Sequence, residues 1–149
     1  MYERILVPID HSARSQEAAR AALEIARRFK ASIVALHVVA PYSPHSVGQI
    51  RSRIVRQVSA AEYDALAVTK ANAALERVAA LAKTARVACE TRLVANADPA
   101  AVIVEQARKA RADLIVMASS GRKGIERLFL GSVTREVLEK SPKQLLVCR

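Results

Sequence analysis

The residues best suited to chemistry lie in the last third of the chain. After Asp113 comes the unbroken apolar run Leu114 to Met117, then Gly121, Gly124 and Gly131, three of only four glycines in 149 residues. Glycine has no Cβ, so it lets a ligand approach the backbone closely and opens conformations closed to other residues. Ser132 follows Gly131, and Val133 with Val137 repeats at the spacing of one helical face, which predicts a helix capped by Ser132. Such a helix start presents unpaired N–H groups and the positive end of the macrodipole, a combination that favours phosphate. The same spacing also fits glycines that only make turns and a serine that only caps.

Two common phosphate motifs are missing. A Walker loop needs a lysine between glycine and serine, whereas Gly131 and Ser132 are adjacent. A dinucleotide fingerprint would follow the first strand, but there the chain reads Pro8-Ile9-Asp10-His11-Ser12 without glycine. His37 sits in an apolar run with no carboxylate or nucleophile near it in sequence, and reads as a hydrogen-bonded core residue and not a catalytic base. Cys89 and Cys148 match no metal or redox spacing and read as buried, reduced thiols.

Alternating strands and helices must position these groups. Arg4 to Asp10 reads as a first strand with its apolar core at Ile5 to Val7, stopped by Pro8. Ser12 then caps a helix with Ala18, Ala22, Ile25 or Ala26 and Phe29 on one face. Ser32 to Val39 is a second, inner strand, and Pro41 to about Ala60 is a long connection carrying Arg51, Arg53 and Arg56. From Tyr63 to about Ala85 the apolar spacing marks a long helix, and Val87 to Val94 alternates as an edge strand does. Asp98-Pro99 opens a helix that ends among Arg108, Lys109 and Arg111, and Gln144 to Cys148 is the last strand. Five strands alternating with helices imply an α/β fold, with right-handed crossovers, a parallel sheet and helices on both faces. Open sheets of this kind take ligands at the carboxyl ends of their strands, where Asp10 falls. Its alternative role is a helix cap or an Asx turn.

Composition sets limits on function. A chain of 149 residues forms one domain, residues 1–149, able to bury roughly two-thirds of its unfolded surface. With 52% hydrophobic but 3% aromatic residues and no Trp, the core is aliphatic, and no base-stacking platform is available. No apolar run reaches a membrane span of roughly 20 residues and no apolar signal core opens the chain, which makes a cytoplasmic location the expectation. The net charge of +10 favours anionic partners without choosing among them, and scattered Lys and Arg also serve solubility alone.

Val7-Pro8-Ile9-Asp10-His11-Ser12 near the start, and Gly121, nine residues, then Gly131-Ser132 near the end, resemble the universal stress protein family over nearly the whole chain. The resemblance implies an open five-stranded parallel sheet of order 3-2-1-4-5, like that of the adenine nucleotide alpha hydrolases. That order brings Pro8 to Asp10 beside Met117 to Ser132. It also implies a bound adenine nucleotide, ATP or alternatively AMP or a cyclic nucleotide, with Mg2+ accompanying it. Met117, Ile9 and Val38 would flank the adenine, Pro8 and Ala118 would line the site, and Asp10 would contact base or ribose. Gly121, Arg122, Gly131, Ser132, Val133 and Thr134 would hold the phosphates. Ala118 departs from the family's motif, which has its first glycine there, and so keeps open an alternative: a dimeric interaction module that binds no ATP. In the family the last strand commonly pairs across a homodimer, which here would be Gln144 to Cys148. An adenylating enzyme of the wider fold would carry glycines after the first strand that this chain lacks, and specific nucleic-acid binding has only the basic residues in its favour. No dedicated base is evident, so the expectation is a binding protein with at most slow ATP hydrolysis.

Overall fold

The computed structural model of the chain describes residues 1–42, 59–119 and 130–149. Its elements are β1 (Arg4–Pro8), α1 (Ala13–Phe29), β2 (Ser32–Val39), α2 (Ala60–Ala85), β3 (Cys89–Ala95), α3 (Pro99–Lys109), β4 (Leu114–Ala118), α4 (Ser132–Lys140) and β5 (Gln144–Cys148). Every neighbouring pair is parallel, and the order across the sheet is β3-β2-β1-β4-β5, as expected. Gly121, Gly124, Arg122 and the basic cluster Arg51, Arg53 and Arg56 lie outside the described residues.

Side-chain alternation along the inner strands divides the core into two layers. Ile5, Val7, Ile33, Ala35, Leu114 and Val116 pack with α1 and α2. Leu6, Val34, Leu36, Ile115 and Met117 pack with α3 and α4. Strands covered on both faces must be apolar at every position, which is why β1, β2 and β4 are unbroken aliphatic runs. The helices answer with alanine: Ala18, Ala19, Ala22 and Ala26 of α1 are wholly buried and let the helix backbone lie close to the sheet. Each large aliphatic side chain removed from water, such as Ile5 or Ile115, contributes about 1.5–3 kcal/mol. No helix among the described residues is long and apolar enough to cross a membrane.

Local signals set the helix starts. Ser12 caps α1 by accepting from the Ser15 amide, and Asp98 caps α3 by accepting from the Ala101 amide at 3.0 Å. The α2 helix begins at Ala60, three residues before the expected Tyr63, because Ser59 and Glu62 form a reciprocal capping box. The third strand runs over Cys89–Ala95 and not Val87 to Val94; it pairs with β2 alone and so is an edge. Its Arg92 folds over the α3 face to Gln106 at 2.9 Å. Phe29, expected on the buried face of α1, stays partly exposed and packs edge-on against Tyr2 at 5.3 Å.

Candidate functional site

The site begins with a proline. Glu3 and Ile9 bond to β2, whereas the Arg4 carbonyl accepts from Asp113, so the even-numbered residues of β1 face β4. The β1–β4 register runs through Ile5↔Leu114 and Leu6↔Ile115. The next donor of β1 on that side is the Pro8 nitrogen, which carries no hydrogen. The two strands stop pairing, and a cavity of about 710 Å³ opens at their carboxyl ends, a size usual for small-ligand sites.

One wall is apolar. Val38, Met117 and Leu36 come from the strands, Pro99 and Ile103 from α3, with Pro8, Ile9 and Ala118 completing the lining. Sequence reasoning named Val38, Met117, Pro8, Ile9 and Ala118; it missed Leu36 of β2, and Pro99 and Ile103, which only the packing of α3 brings to the cavity. The backbone of β2 supplies polarity there. Ser32 and Leu36 bond toward β1, through Glu3 at 2.9 Å and Ile9 at 2.7 Å, and Val38 is next in that series. Its N–H and C=O therefore face the space left where β1 departs.

The opposite end of the cavity is the start of α4. Gly131 is the N-cap, in extended conformation with φ −61° and ψ 158°, and no side chain caps the helix. This corrects the expectation that Ser132 would be the cap: Ser132 is the first helical residue, so its hydroxyl lies beside the free amides instead of consuming one. The N–H groups of Ser132, Val133 and Thr134 have no carbonyl four residues back within the helix. With the macrodipole behind them they form an anion cradle, and a side chain at position 131 would stand in it. Arg135, also missed from sequence, lines the same end.

Thr134 is only 3% exposed, and its hydroxyl donates to the Ala118 carbonyl at 3.0 Å, which leaves its amide as the group available at the helix start. Gly131 N–H donates to the Ser119 carbonyl at 2.7 Å, and Ser119 N–H to the Cys148 carbonyl at 2.8 Å. The cradle is thereby tied to the ends of β4 and β5.

Asp10 lines the cavity and is the one carboxylate among its described lining residues. It makes the Asx turn weighed as its alternative role: Oδ1 accepts from the Ser12 amide at 2.8 Å and from the Ser12 hydroxyl at 2.5 Å. Burial raises its carboxyl pKa, but the Ser12 hydroxyl and amide and Ser15 outweigh that and hold it below the ordinary 3.8. The second carboxylate oxygen has no partner among the described residues.

His37 lies on the other face of the sheet, outside the cavity. It is 5% exposed, and neither ring nitrogen finds a partner among the described residues, contrary to the expected hydrogen-bonded core histidine. Its ring stands 4.9 Å from that of His11. Burial first, and His11 second, push its pKa down from 6.5, against the opposing charge of Asp10. Among the described residues no group of three His, Cys, Asp or Glu side chains could hold a metal ion. Cys89 and Cys148 are free, half-buried thiols whose pKa burial raises. A wider groove of about 1060 Å³ lies at the other end of α1 and α2, lined by the C-caps Lys30 and Arg86 with Arg20 and Arg27. There the helix carbonyl ends oppose an anion, and the cations serve those ends.

Fold and site together define an α/β protein with a small-molecule cavity at the topological switch point of a parallel sheet. The model of the universal stress protein family matches residues 1–149, and the chain belongs to that family. A universal stress protein of Methanocaldococcus jannaschii is 36% identical over 149 residues, covering 100% of this chain and 83% of that one. Among solved structures, universal stress protein UspA from Lactobacillus plantarum is 29% identical, with a TM-score of 0.71 and coverage of 99% and 98%. A universal stress protein solved in complex with cAMP is 27% identical, with a TM-score of 0.71 and coverage of 99% and 97%.

Proposed function

We propose that this chain binds an adenine nucleotide as a regulatory ligand in a stress response. The observation that carries the reading is the two-ended cavity: an apolar slot edged by the Val38 backbone at one end, and the uncapped α4 start behind Gly131 at the other. Adenine needs an apolar slot with one donor and one acceptor at its edge, and Val38 N–H and C=O supply that pair. Ile9 and Met117 flank the ring, and Asp10 receives a ribose hydroxyl on its free oxygen. The amides of Ser132, Val133 and Thr134 hold phosphate, with Gly131 leaving them open. The cAMP-bound relative supports an adenine nucleotide in this fold.

ATP is the nucleotide we favour, because Arg135 at the phosphate end of the lining adds a cation to the amides. Mg2+ would enter on the phosphate oxygens, since Asp10 is the one lining carboxylate. With Asp10 engaged by Ser12, no described lining residue is placed as a base, and the nucleotide acts as a ligand and not a substrate. Small molecules released from the denatured protein, identified by mass spectrometry, and calorimetric titration with ATP and magnesium test this. Micromolar ATP binding that falls at least tenfold in Gly131→Val supports it. Because φ −61° is open to any residue, that variant keeps its backbone, and undiminished affinity in it would sink the assignment.

A further inference from the structure

Resting on this nucleotide reading, we infer that the Thr134 side chain is a positioning group that sets the geometry of the anion cradle through the Ala118 carbonyl and does not itself touch the ligand. Three observations converge. Thr134 is buried to 3% exposure in the first turn of α4, and its hydroxyl is spent on Ala118 at 3.0 Å. Among the described residues that turn has one other hydrogen-bonded tether to the sheet, from the Gly131 N–H to the Ser119 carbonyl at 2.7 Å. Ala118 and Ser119 are consecutive, so the two bonds clamp residues three apart on the helix to adjacent residues at the end of β4.

The consequence is geometric. Two bonds fix both the position and the rotation of the first turn, whereas with the Gly131 bond alone its rotation would rest on the packing of Val133 and Val137. The amides of Ser132 and Val133 lie between the clamped residues, so their directions are held before any ligand arrives. A preorganised anion site binds more tightly because no ordering is left to be done on binding. The cost of losing the Thr134 clamp falls on phosphate contacts. The base slot keeps its shape without the clamp, because Val38 and Met117 are held in the sheet by their registers with Val94 and Val147, and Ile9 by its bond to the Leu36 carbonyl at 2.7 Å.

Two ligands separate this inference from the reading beneath it. ATP and adenosine are titrated calorimetrically into the full chain and into Thr134→Val, which keeps the shape of the side chain but loses the hydroxyl, and into Thr134→Ser, which restores it. Expected is a loss of about tenfold or more in ATP affinity in Thr134→Val, adenosine affinity unchanged, and recovery in Thr134→Ser. Amide hydrogen exchange at Ser132 and Val133 should also quicken in Thr134→Val without ligand. Equal ATP affinity in a folded Thr134→Val, or a parallel loss of adenosine and ATP, overturns the clamp and leaves nucleotide binding standing. A wild-type chain that takes up neither ligand overturns the nucleotide reading, and the clamp with it. Should Thr134→Val fail to fold, the exchange rates and the ATP-to-adenosine ratio of Thr134→Ala replace it under the same criteria.

Discussion

Ala118 faces Cys148 in the register of β4 and β5, and the chain leaves the sheet only at Ser119, which donates to the Cys148 carbonyl at 2.8 Å. Position 118 is thus the last residue of a strand and not part of a turn. Its φ is negative; among the described residues the non-glycine positions with positive φ are Lys30, Arg86 and Arg111. Its methyl packs into the layer beneath α1, on the face opposite Met117. What the site uses at this position is the carbonyl, which every residue possesses. Replacing Ala118 by glycine is therefore expected to leave ATP affinity within about twofold of wild type. It should lower stability by about 0.5–1 kcal/mol, since glycine in a strand has more freedom to lose. Titration beside thermal melting checks both, and a tenfold gain in affinity would show that the methyl obstructs the site.

Burial of His37 carries a pH dependence with a definite sign. Its folded pKa lies below 6.5, so the folded chain resists a proton that the unfolded chain accepts. The contribution is complete above pH 6.5 and is lost as pH falls below that value toward the depressed folded one. Asp10 and His11 face it, and Asp10, itself held below 3.8, stays ionised through this window. Melting temperatures between pH 7.5 and 5 should fall in the wild type and hold more nearly level in His37→Leu. An equal slope in both would assign the loss to other groups.

The outer edge of β5 pairs with nothing in the described sheet, and Leu146 on it is 39% exposed. An edge of bare N–H and C=O groups with an apolar side chain suits a second copy, and we expect a homodimer joined along Gln144 to Cys148. Light scattering should give twice the chain mass for wild type and the single mass for Leu146→Lys, whose charge would lie in the joint. A monomeric wild type would discard this edge as the contact. A dimer that forms without any nucleotide would instead favour the interaction module as the resting role of the chain.

The sequence by itself determined the elements and much of their identity. Aliphatic runs between helical spacings can bury both faces only as inner strands of an α/β sheet. Asp98-Pro99 and Ser12 mark helix starts through chemistry confined to a few neighbouring residues. Pro8 ends its ladder for want of a hydrogen, which is also a local property. The glycine followed by a helix was legible as a helix start with free amides, since N–H groups there belong to the backbone. What tertiary structure decided is every role that depends on a partner distant in the chain. Pro99 and Ile103 joined Leu36 in a wall only when α3 docked, and the Thr134 hydroxyl is taken by a carbonyl 16 residues away. Ser132 gave up the cap to Gly131 because the tether to Ser119 sets where the helix begins. Among the described residues His37 finds no hydrogen-bond partner, although its ring stands against that of His11. Spacing along a chain fixes periodicity and local caps; which atom meets which across the sheet is fixed by packing, and the chemistry of this site is made of such meetings.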